Sequence, residues 1–282
     1  AYLVRKQKAC AGIAVTASHN PYEDNGIKIF DRDGFKLSDE TERQLESVIL
    51  GDGIEQQPDA GPVGVVQPYH QARQTYVDFL ADSIDGSIAP GAFKLVVDCA
   101  NGATFEVAPQ LFQRLGLQVT FMGISPDGRN INAGCGSEDT DSLAEKVVAE
   151  KADMGIALDG DGDRLIVIDE GGQRLSGDVL IALLADHLQR KNALDPALVV
   201  TTEMSNIGLK TALGNMNIAH IATAVGDRYV TQKMVETGAV LGGEDSGHII
   251  FLKAHTAGDG LFTALRLLET IVVDRGAPLS RL

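Results

Sequence analysis

Short runs of apolar residues alternate with longer amphipathic stretches along most of the chain. The short runs are continuously apolar, which is typical of strands that are buried on both faces of a sheet. They predict strands at 93–98, 117–122, 154–158, 165–168, 198–202, 221–225, 239–241 and 248–252. The longer stretches predict a helix that ends at 115 and helices at 142–151, 179–190 and 260–273. Strands that alternate with helices in this way predict α/β layers with mostly parallel sheets.

Proline and glycine are concentrated in two places that divide the chain. Residues 51–68 have the composition of a linker, and Ala89-Pro90-Gly91 marks a second break. We therefore expect three parts, with boundaries at 1–84, 85–182 and 183–282. In the second part, Ser142 and Glu145 have the spacing of a capping box, which predicts that a helix begins there.

Composition and charge exclude several functional classes. The 282 residues correspond to roughly two domains. A formal net charge of −15 and the absence of Trp do not suit a nucleic-acid-binding surface or an anionic membrane surface. We therefore expect no nucleic-acid partner and no membrane partner, and nothing in the sequence indicates an oligomeric state.

The cysteines and the chain start give two further expectations. Cys10, Cys99 and Cys135 have neither disulfide nor metal-ligand spacing, so we expect reduced thiols and a cytoplasmic protein. No apolar run reaches the roughly 18 residues that a membrane helix needs. Residue 1 is Ala rather than Met, so we expect the chain to begin partway through a gene product.

The segment Asp159-Gly-Asp-Gly-Asp-Arg164 is the strongest candidate for chemistry. Alternate residues of an extended loop point the same way, so three carboxylates would face one point. A hard divalent cation relieves their repulsion, and oxygen ligands suit Mg²⁺. Arg164 then places a fixed positive charge beside the cation, which suits a phosphate.

Two other interpretations of this aspartate segment remain open. It resembles a solvated acidic turn, in which Asp-Gly repeats are also common. An EF-hand loop is the sharper alternative, but that loop requires glycine where this chain has Arg164. The flanking residues also predict strands, whereas an EF-hand needs helices.

A second candidate is the segment that ends in Ser18-His19-Asn20-Pro21. An apolar run stops at the serine, so Ser18 should lie exposed at the end of a strand. A plain Ser/Asn/Pro turn explains the same residues. A Ser-His-Asp hydrolase fits less well, because no Gly-x-Ser-x-Gly elbow surrounds the serine.

Two weaker candidates are loops that are rich in glycine. Gly243–His248 presents Glu, Ser and His, which can hydrogen-bond the hydroxyls of a small polyol, although the residue types alone favour a polar turn between strands. His248 is equally compatible with a structural role. Asn101-Gly102 could approach a phosphate or form a simple strand-to-helix turn.

Together these segments resemble the α-D-phosphohexomutase family. The motifs occur in the family's order as Thr16–Pro21, Asp159–Arg164 and Gly243–His248. Further residues are similar to the phosphoglucosamine mutase branch: Asn130-Ile-Asn132, Cys135-Gly136, Val225–Val230 and Gly242-Gly243. The chain departs from the family at Ser137-Glu138-Asp139 and at Glu203, and we expect neither departure to touch the phosphoryl chemistry.

The resemblance implies a role for each matching residue. Ser18 would carry a phosphoryl group, Arg164 would steady the phosphoryl oxygens, and Lys28 would act as general acid and base with His19 nearby. Lys28 suits that role if burial or positive neighbours lower its pKa. The implied metal ligands for Mg²⁺ are Ser18, Asp159, Asp161 and Asp163. The implied substrate-binding residues are Asp227, Glu244, Ser246 and His248.

The resemblance also implies a fold, a reaction and a domain count. The fold would consist of tandem three-layer α/β domains with mixed, mostly parallel sheets. The reaction would interconvert glucosamine 6-phosphate and glucosamine 1-phosphate, with glucosamine 1,6-bisphosphate or a similar compound as phosphoryl primer. Residues 1–84 would be the end of domain 1 with the phosphoserine loop, 85–182 domain 2 with the metal loop, and 183–282 domain 3 with the sugar loop.

A fourth domain with a phosphate-binding loop would be absent, so we expect residues 1–282 alone to bind Mg²⁺ but to turn over negligibly. Two alternative functions remain open. One is a phosphoglucomutase or phosphomannomutase with the same machinery. The other is a non-catalytic module that binds a metal or a phosphosugar.

Overall fold

The computed structural model describes residues 1–51, 64–273 and 278–281. Most of the expected linker, residues 52–63, lies outside these ranges. The helices are α1 (Tyr2–Gln7), α2 (Asp39–Leu50), α3 (Ala72–Asp82), α4 (Val107–Arg114), α5 (Asp141–Glu150), α6 (Gly177–Arg190), α7 (Ile207–Asn215), α8 (Asp227–Thr237) and α9 (Gly260–Val273), with a 3-10 turn at Leu279–Arg281. Among the described residues, no helix is both long and apolar enough to cross a membrane.

The strands alternate with these helices from residue 94 onward. They are β1 (Ala11–Thr16), β2 (Gly26–Asp31), β3 (Lys94–Asp98), β4 (Gln118–Met122), β5 (Met154–Leu158), β6 (Leu165–Asp169), β7 (Arg174–Leu175), β8 (Leu198–Thr202), β9 (Ala219–Thr223), β10 (Leu241–Gly243) and β11 (Ile249–Phe251). The alternation that the apolar pattern predicts is therefore confirmed.

The strands of the described residues form three sheets. β1 and β2 make an antiparallel hairpin in which Ala11 lies opposite Asp31 and Thr16 opposite Gly26. The second sheet has the order β4-β3-β5-β6-β7, in which β4, β3 and β5 are parallel while β6 and β7 pair antiparallel. The third has the order β11-β10-β8-β9, with β11 antiparallel to β10. The expected α/β class with mixed sheets is confirmed.

Both faces of the second sheet are covered, which explains its continuously apolar strands. Leu95 and Val97 of β3 enter a large apolar cluster that includes residues of α4, α6 and α9. Val96 points to the other face and packs with Leu143 and Val147 of α5. Successive residues of a strand point to opposite faces, so every position of such a strand must be apolar.

One apolar cluster joins the second and third sheets. It contains β3, β5 and β6 residues of the second sheet together with Val199 and Leu241 of the third, and Leu180 and Leu265 lie between them. Full burial of one such side chain stabilises the fold by about 2 kcal/mol. The two sheets therefore pack against one shared core, from which the loops at their ends extend.

Some element boundaries differ from the sequence predictions, and strand pairing explains two of them. Helix α5 begins at Asp141 with Thr140 as N-cap, so Ser142 lies in the first turn and the predicted capping box does not form. Strand β9 lies at 219–223, two residues before its predicted position at both ends, and β10 lies at 241–243, two residues after its predicted position at both ends. Their limits follow the register with β8, in which Leu198 pairs with Ala219 and Val199 with Leu241.

Candidate active site

The aspartate loop begins where β5 ends, next to the loop that follows the parallel strand β3. Ala103 donates its backbone N–H to the carbonyl of Gly160 at 2.7 Å. A Cβ at Gly102 would lie 2.2 Å from that carbonyl oxygen, so this close approach requires glycine there. The Asn101-Gly102 turn therefore packs against the aspartate loop.

The three aspartates form a cluster that fits a divalent cation. Oxygen atoms of Asp159, Asp161 and Asp163 all lie within 4.8 Å of one another. Asp159 Oδ2 and Asp161 Oδ1 are buried, and neither has a hydrogen-bond partner in the described part of the chain. Buried carboxylate oxygens without donors are costly, and a hard cation satisfies them. The donor set, which consists of oxygens, suits Mg²⁺ or a similar ion.

Lys28 of the hairpin reaches into this cluster from a distant part of the sequence. Its ammonium group pairs with Asp161 and lies 2.9 Å from Asp163 Oδ2. Burial alone would lower the pKa of Lys28, but the two carboxylates outweigh burial and raise the pKa above its ordinary value. The condition that burial or positive neighbours lower the pKa of Lys28 is therefore not met in this structure, because the nearest charges are negative.

The aspartates themselves ionise unequally. Burial, with the neighbouring carboxylates of Asp163 and Asp161, raises the pKa of Asp159 to about 8. Burial also acts on Asp163, but His248 and Lys28 outweigh it and hold the pKa of that carboxyl far below its usual range. The cluster therefore holds a proton on Asp159 at neutral pH, which a cation must displace.

The loop after β1 brings Ser18 against the aspartate loop. Ser18 has φ +51°, and its carbonyl accepts the N–H of Gly160 at 3.0 Å. The Ser18 N–H donates to Thr16 Oγ1 at 2.8 Å, and Ser18 Oγ lies 3.5 Å from His19 Nδ1. Gly160 lies between Asp159 and Asp161. This hydrogen bond therefore joins the loop that carries Ser18 to the loop that carries the carboxylate cluster.

The third loop, between β10 and β11, packs at the start of β6. Leu165 donates its N–H to the Gly247 carbonyl at 3.0 Å, directly after Arg164. Glu244 Oε1 accepts the N–H of Gly226 at 3.1 Å. The hydroxyl of Ser246 is buried and has no partner among the described residues. A buried hydroxyl without a partner is available to a ligand.

His248 connects the third loop to the aspartate cluster. Its Nδ1 lies 3.4 Å from Asp163, and its Nε2 lies 3.4 Å from Asp227. Gly258 donates its N–H to Nε2 at 3.2 Å, which leaves Nδ1 to direct its proton towards Asp163. Asp227 also pairs with Lys36 of the N-terminal region. The structure thus brings every candidate from the sequence into one connected region.

Two residues that the sequence analysis named only as family markers make contacts here that it did not predict. Arg164 Nη1 lies 2.9 Å from Glu138 Oε1, so the family departure at Glu138 contacts the arginine that the resemblance places at the phosphoryl group. If Arg164 has the implied role, the departure at Glu138 touches the phosphoryl chemistry, contrary to the expectation above. Asn132 is the second of these residues, and it contacts the backbone of the Ser18 loop. A polar residue in a loop has no periodic signal from which such a contact could be predicted.

Loss of one clustered carboxylate should weaken cation binding. We expect Asp161→Asn to reduce Mg²⁺ affinity by at least about tenfold, because it removes an anionic ligand. Asp169→Asn is the matched control: Asp169 Oδ1 accepts the N–H groups of Gly171 and Gln173, and asparagine keeps that acceptor. Calorimetric titration compares the two variants, and equal losses would show that the loop is not the site.

Cation affinity should also depend on pH. Because the pKa of Asp159 is raised to about 8, its carboxyl is protonated below that pH and must lose the proton to bind a cation. We therefore expect Mg²⁺ affinity to be at least about tenfold weaker at pH 6.5 than at pH 8.5. Titration of the wild type and of Asp169→Asn should show the same dependence. An affinity that is constant across this range contradicts the assignment.

Comparison with known proteins agrees with this arrangement. Models of the family phosphoglucomutase/phosphomannomutase match the chain in order: alpha/beta/alpha domain I at 1–53, domain II at 74–172 and domain III at 176–282. The chain is 48% identical to the phosphoglucosamine mutase of Syntrophus aciditrophicus and 45% identical to that of Pelotomaculum thermopropionicum. In both alignments it is covered completely and spans 63% of the relative's length.

A solved structure shows the same likeness. The phosphoglucomutase/phosphomannomutase family protein of Burkholderia thailandensis superposes with a TM-score of 0.80 at 28% identity. The superposition covers 96% of this chain and 57% of that protein. Three successive domain models, curated relatives and a solved structure thus agree, and the chain belongs to the phosphoglucomutase/phosphomannomutase family, the α-D-phosphohexomutases.

Proposed function

We propose that the protein is a phosphoglucosamine mutase, which interconverts glucosamine 6-phosphate and glucosamine 1-phosphate. The observation that carries the proposal is the hydrogen bond from the Gly160 N–H to the Ser18 carbonyl. It places a serine beside three carboxylates that can hold a cation, which is the arrangement that phosphoryl transfer through a serine requires. The curated relatives with this name support the choice of branch.

Asp159, Asp161 and Asp163 would hold Mg²⁺, with the phosphorylated Ser18 as a further ligand. When bound, the cation supplies positive charge to the phosphoryl oxygens as the phosphorus loosens from its old partner. The unpartnered buried oxygens of Asp159 and Asp161 support this assignment. Arg164 would add a second positive charge, and its pairing with Glu138 holds the guanidinium beside the loop.

Residues of the chain would then transfer the protons. The bond between phosphorus and Ser18 Oγ breaks while a bond forms from phosphorus to a hydroxyl of the sugar. In the structure the carboxylates of Asp161 and Asp163 hold Lys28 protonated. With a cation neutralising these two carboxylates, the pKa of Lys28 would fall, and Lys28 would take the proton that this hydroxyl loses. His19 would give a proton to Ser18 Oγ, which lies 3.5 Å from its Nδ1. The product is a 1,6-bisphosphate. After it turns around, its other phosphoryl group returns to Ser18 and both protons move back.

The third loop would orient the sugar. Ser246 offers a buried hydroxyl without a partner in the described ranges, and Glu244 lies in the same turn. His248 and Asp227 connect this loop to the aspartate cluster. A hydroxyl and a carboxylate together can recognise the hydroxyls and the ammonium group of a hexosamine.

The test is a comparison of substrates with the purified full-length protein, primed with glucosamine 1,6-bisphosphate, because the 282 residues span only 63% of the relatives' length. We expect turnover to be fastest with glucosamine 6-phosphate, and the intact mass to show one phosphoryl group on Ser18. A preference for glucose or mannose 6-phosphate would assign the protein to the alternative mutases. Absence of turnover and of the phosphoryl group would favour a non-catalytic binding module.

A further inference from the structure

Asn132 contacts the reactive loop from a separate part of the chain. Its side-chain Nδ2 donates to the Ser18 carbonyl at 2.8 Å and to the Asn20 carbonyl at 2.8 Å. An amide NH₂ group has two hydrogens, so both are used on this one loop. The two carbonyls lie on either side of His19, so one side chain spans the turn that carries the serine.

Asn132 is itself held firmly. Its backbone N–H donates to the Ala100 carbonyl at 2.9 Å, which ties it to the turn after β3. Its φ is +57°, a left-handed conformation that asparagine tolerates better than most residues. A Cβ at Gly160 would lie 2.9 Å from Asn132 Nδ2, so the amide also packs closely against the aspartate loop.

The Ser18 loop needs such external support. Ser18 has φ +51°, which is unfavourable for a residue with a side chain and persists only where surrounding contacts impose it. Within the loop, the Asn20 N–H donates to the Ala17 carbonyl at 2.9 Å and the Ser18 N–H to Thr16 Oγ1. The Ser18 carbonyl receives its two donors, Gly160 N–H and Asn132 Nδ2, from outside the hairpin.

We propose that Asn132 is a positioning residue that fixes the direction of Ser18 Oγ towards the aspartate cluster. This inference rests on the proposed function, because it assumes that Ser18 carries the phosphoryl group. Asn132 acts through the backbone of the loop, so its loss misplaces the reacting oxygen and leaves the carboxylates and the sugar loop in place. We therefore expect the loss of Asn132 to lower kcat and to leave KM and cation affinity nearly unchanged.

Two variants test this inference in the full-length protein. Asn132→Gly keeps the left-handed backbone and removes the donors, whereas Asn132→Asp keeps the shape and opposes the two carbonyls with a carboxylate. We expect both to reduce kcat by about 100-fold. In Asn132→Gly, which adds no charge beside the carboxylates, KM for glucosamine 6-phosphate and Mg²⁺ affinity should change less than about twofold. Asn217→Asp is the matched control, because Asn217 is exposed and also has a left-handed φ of +57°.

A second measurement follows the loop itself. Hydrogen exchange of the peptide that covers residues 16–25 should be faster in both Asn132 variants and unchanged in Asn217→Asp. Unchanged kcat and unchanged exchange in either folded variant would overturn the inference, as would an equal loss of Mg²⁺ affinity. An inactive wild type would contradict the proposed function instead, and the exchange comparison would still decide whether Asn132 holds the loop.

Discussion

Replacing Ser18 with alanine is expected to reduce mutase turnover by at least about 10⁴-fold, because the variant has no oxygen to carry the phosphoryl group. The fold should survive the change. The inter-loop contacts of Ser18 run through its carbonyl, which accepts from Gly160 and Asn132, and alanine keeps that carbonyl. A coupled assay of 1-phosphate formation measures the loss, and intact mass should show that the phosphoryl group is gone.

The matched control is Ser142→Ala, an exposed serine in the first turn of helix α5. It should retain wild-type turnover. Ser18→Ala should also retain its affinity for Mg²⁺ to within a few fold, since the three carboxylates remain. If Ser18→Ala keeps more than a tenth of wild-type turnover, Ser18 is not the phosphoryl carrier, and another residue or a direct transfer between sugars must be sought.

The strands and helices of the two larger sheets were largely predictable from the sequence. Strand β8 and helix α9 have the predicted limits, because their apolar residues are buried on several sides. Predictions failed where a boundary depends on a partner strand: β10 is three residues long, and its position follows Val199 of β8. The local sequence of a strand does not determine its register with a partner strand.

The aspartate cluster could also be predicted, since its spacing is local and its chemistry repetitive. The assembly of the site could not. The contacts of Gly160 with Ser18 and of Asn132 with the same loop join residues that are far apart in the sequence. Glu138 shows the same limit, because only the folded chain places it against Arg164. Resemblance to a family identified the motifs, but contacts that depart from the family had to be found in the structure.

The pKa of Lys28 in the structure does not match the role that the family motif assigns to this residue. The family motif assigns it to proton transfer, for which a pKa near neutrality is best. In the structure its ammonium group pairs with Asp161 and Asp163, which raise its pKa. In this position Lys28 neutralises the same carboxylates that would bind a cation. Lys28 and the cation therefore compete for the carboxylates of Asp161 and Asp163.

This competition predicts two opposite effects of a single substitution. We expect Lys28→Met to reduce kcat by about 10²- to 10⁴-fold, through loss of the acid and base. The same variant should bind Mg²⁺ more tightly than the wild type, because Asp161 and Asp163 lose their positive partner. A catalytic defect that is accompanied by stronger metal binding is unusual. It distinguishes competition at the cluster from a general disturbance of the site, which would weaken both properties.

Lys94→Met is the control, since Lys94 begins β3 at the end of the strand remote from the aspartate loop and pairs with Glu150. It also removes one positive charge, so a change common to both variants reflects net charge alone. Calorimetry with Mg²⁺ and the coupled assay measure the two effects separately. Weaker Mg²⁺ binding by Lys28→Met would contradict the competition. It would mean that Lys28 holds the carboxylates in position for the cation, so that the ion pair pre-forms the metal site.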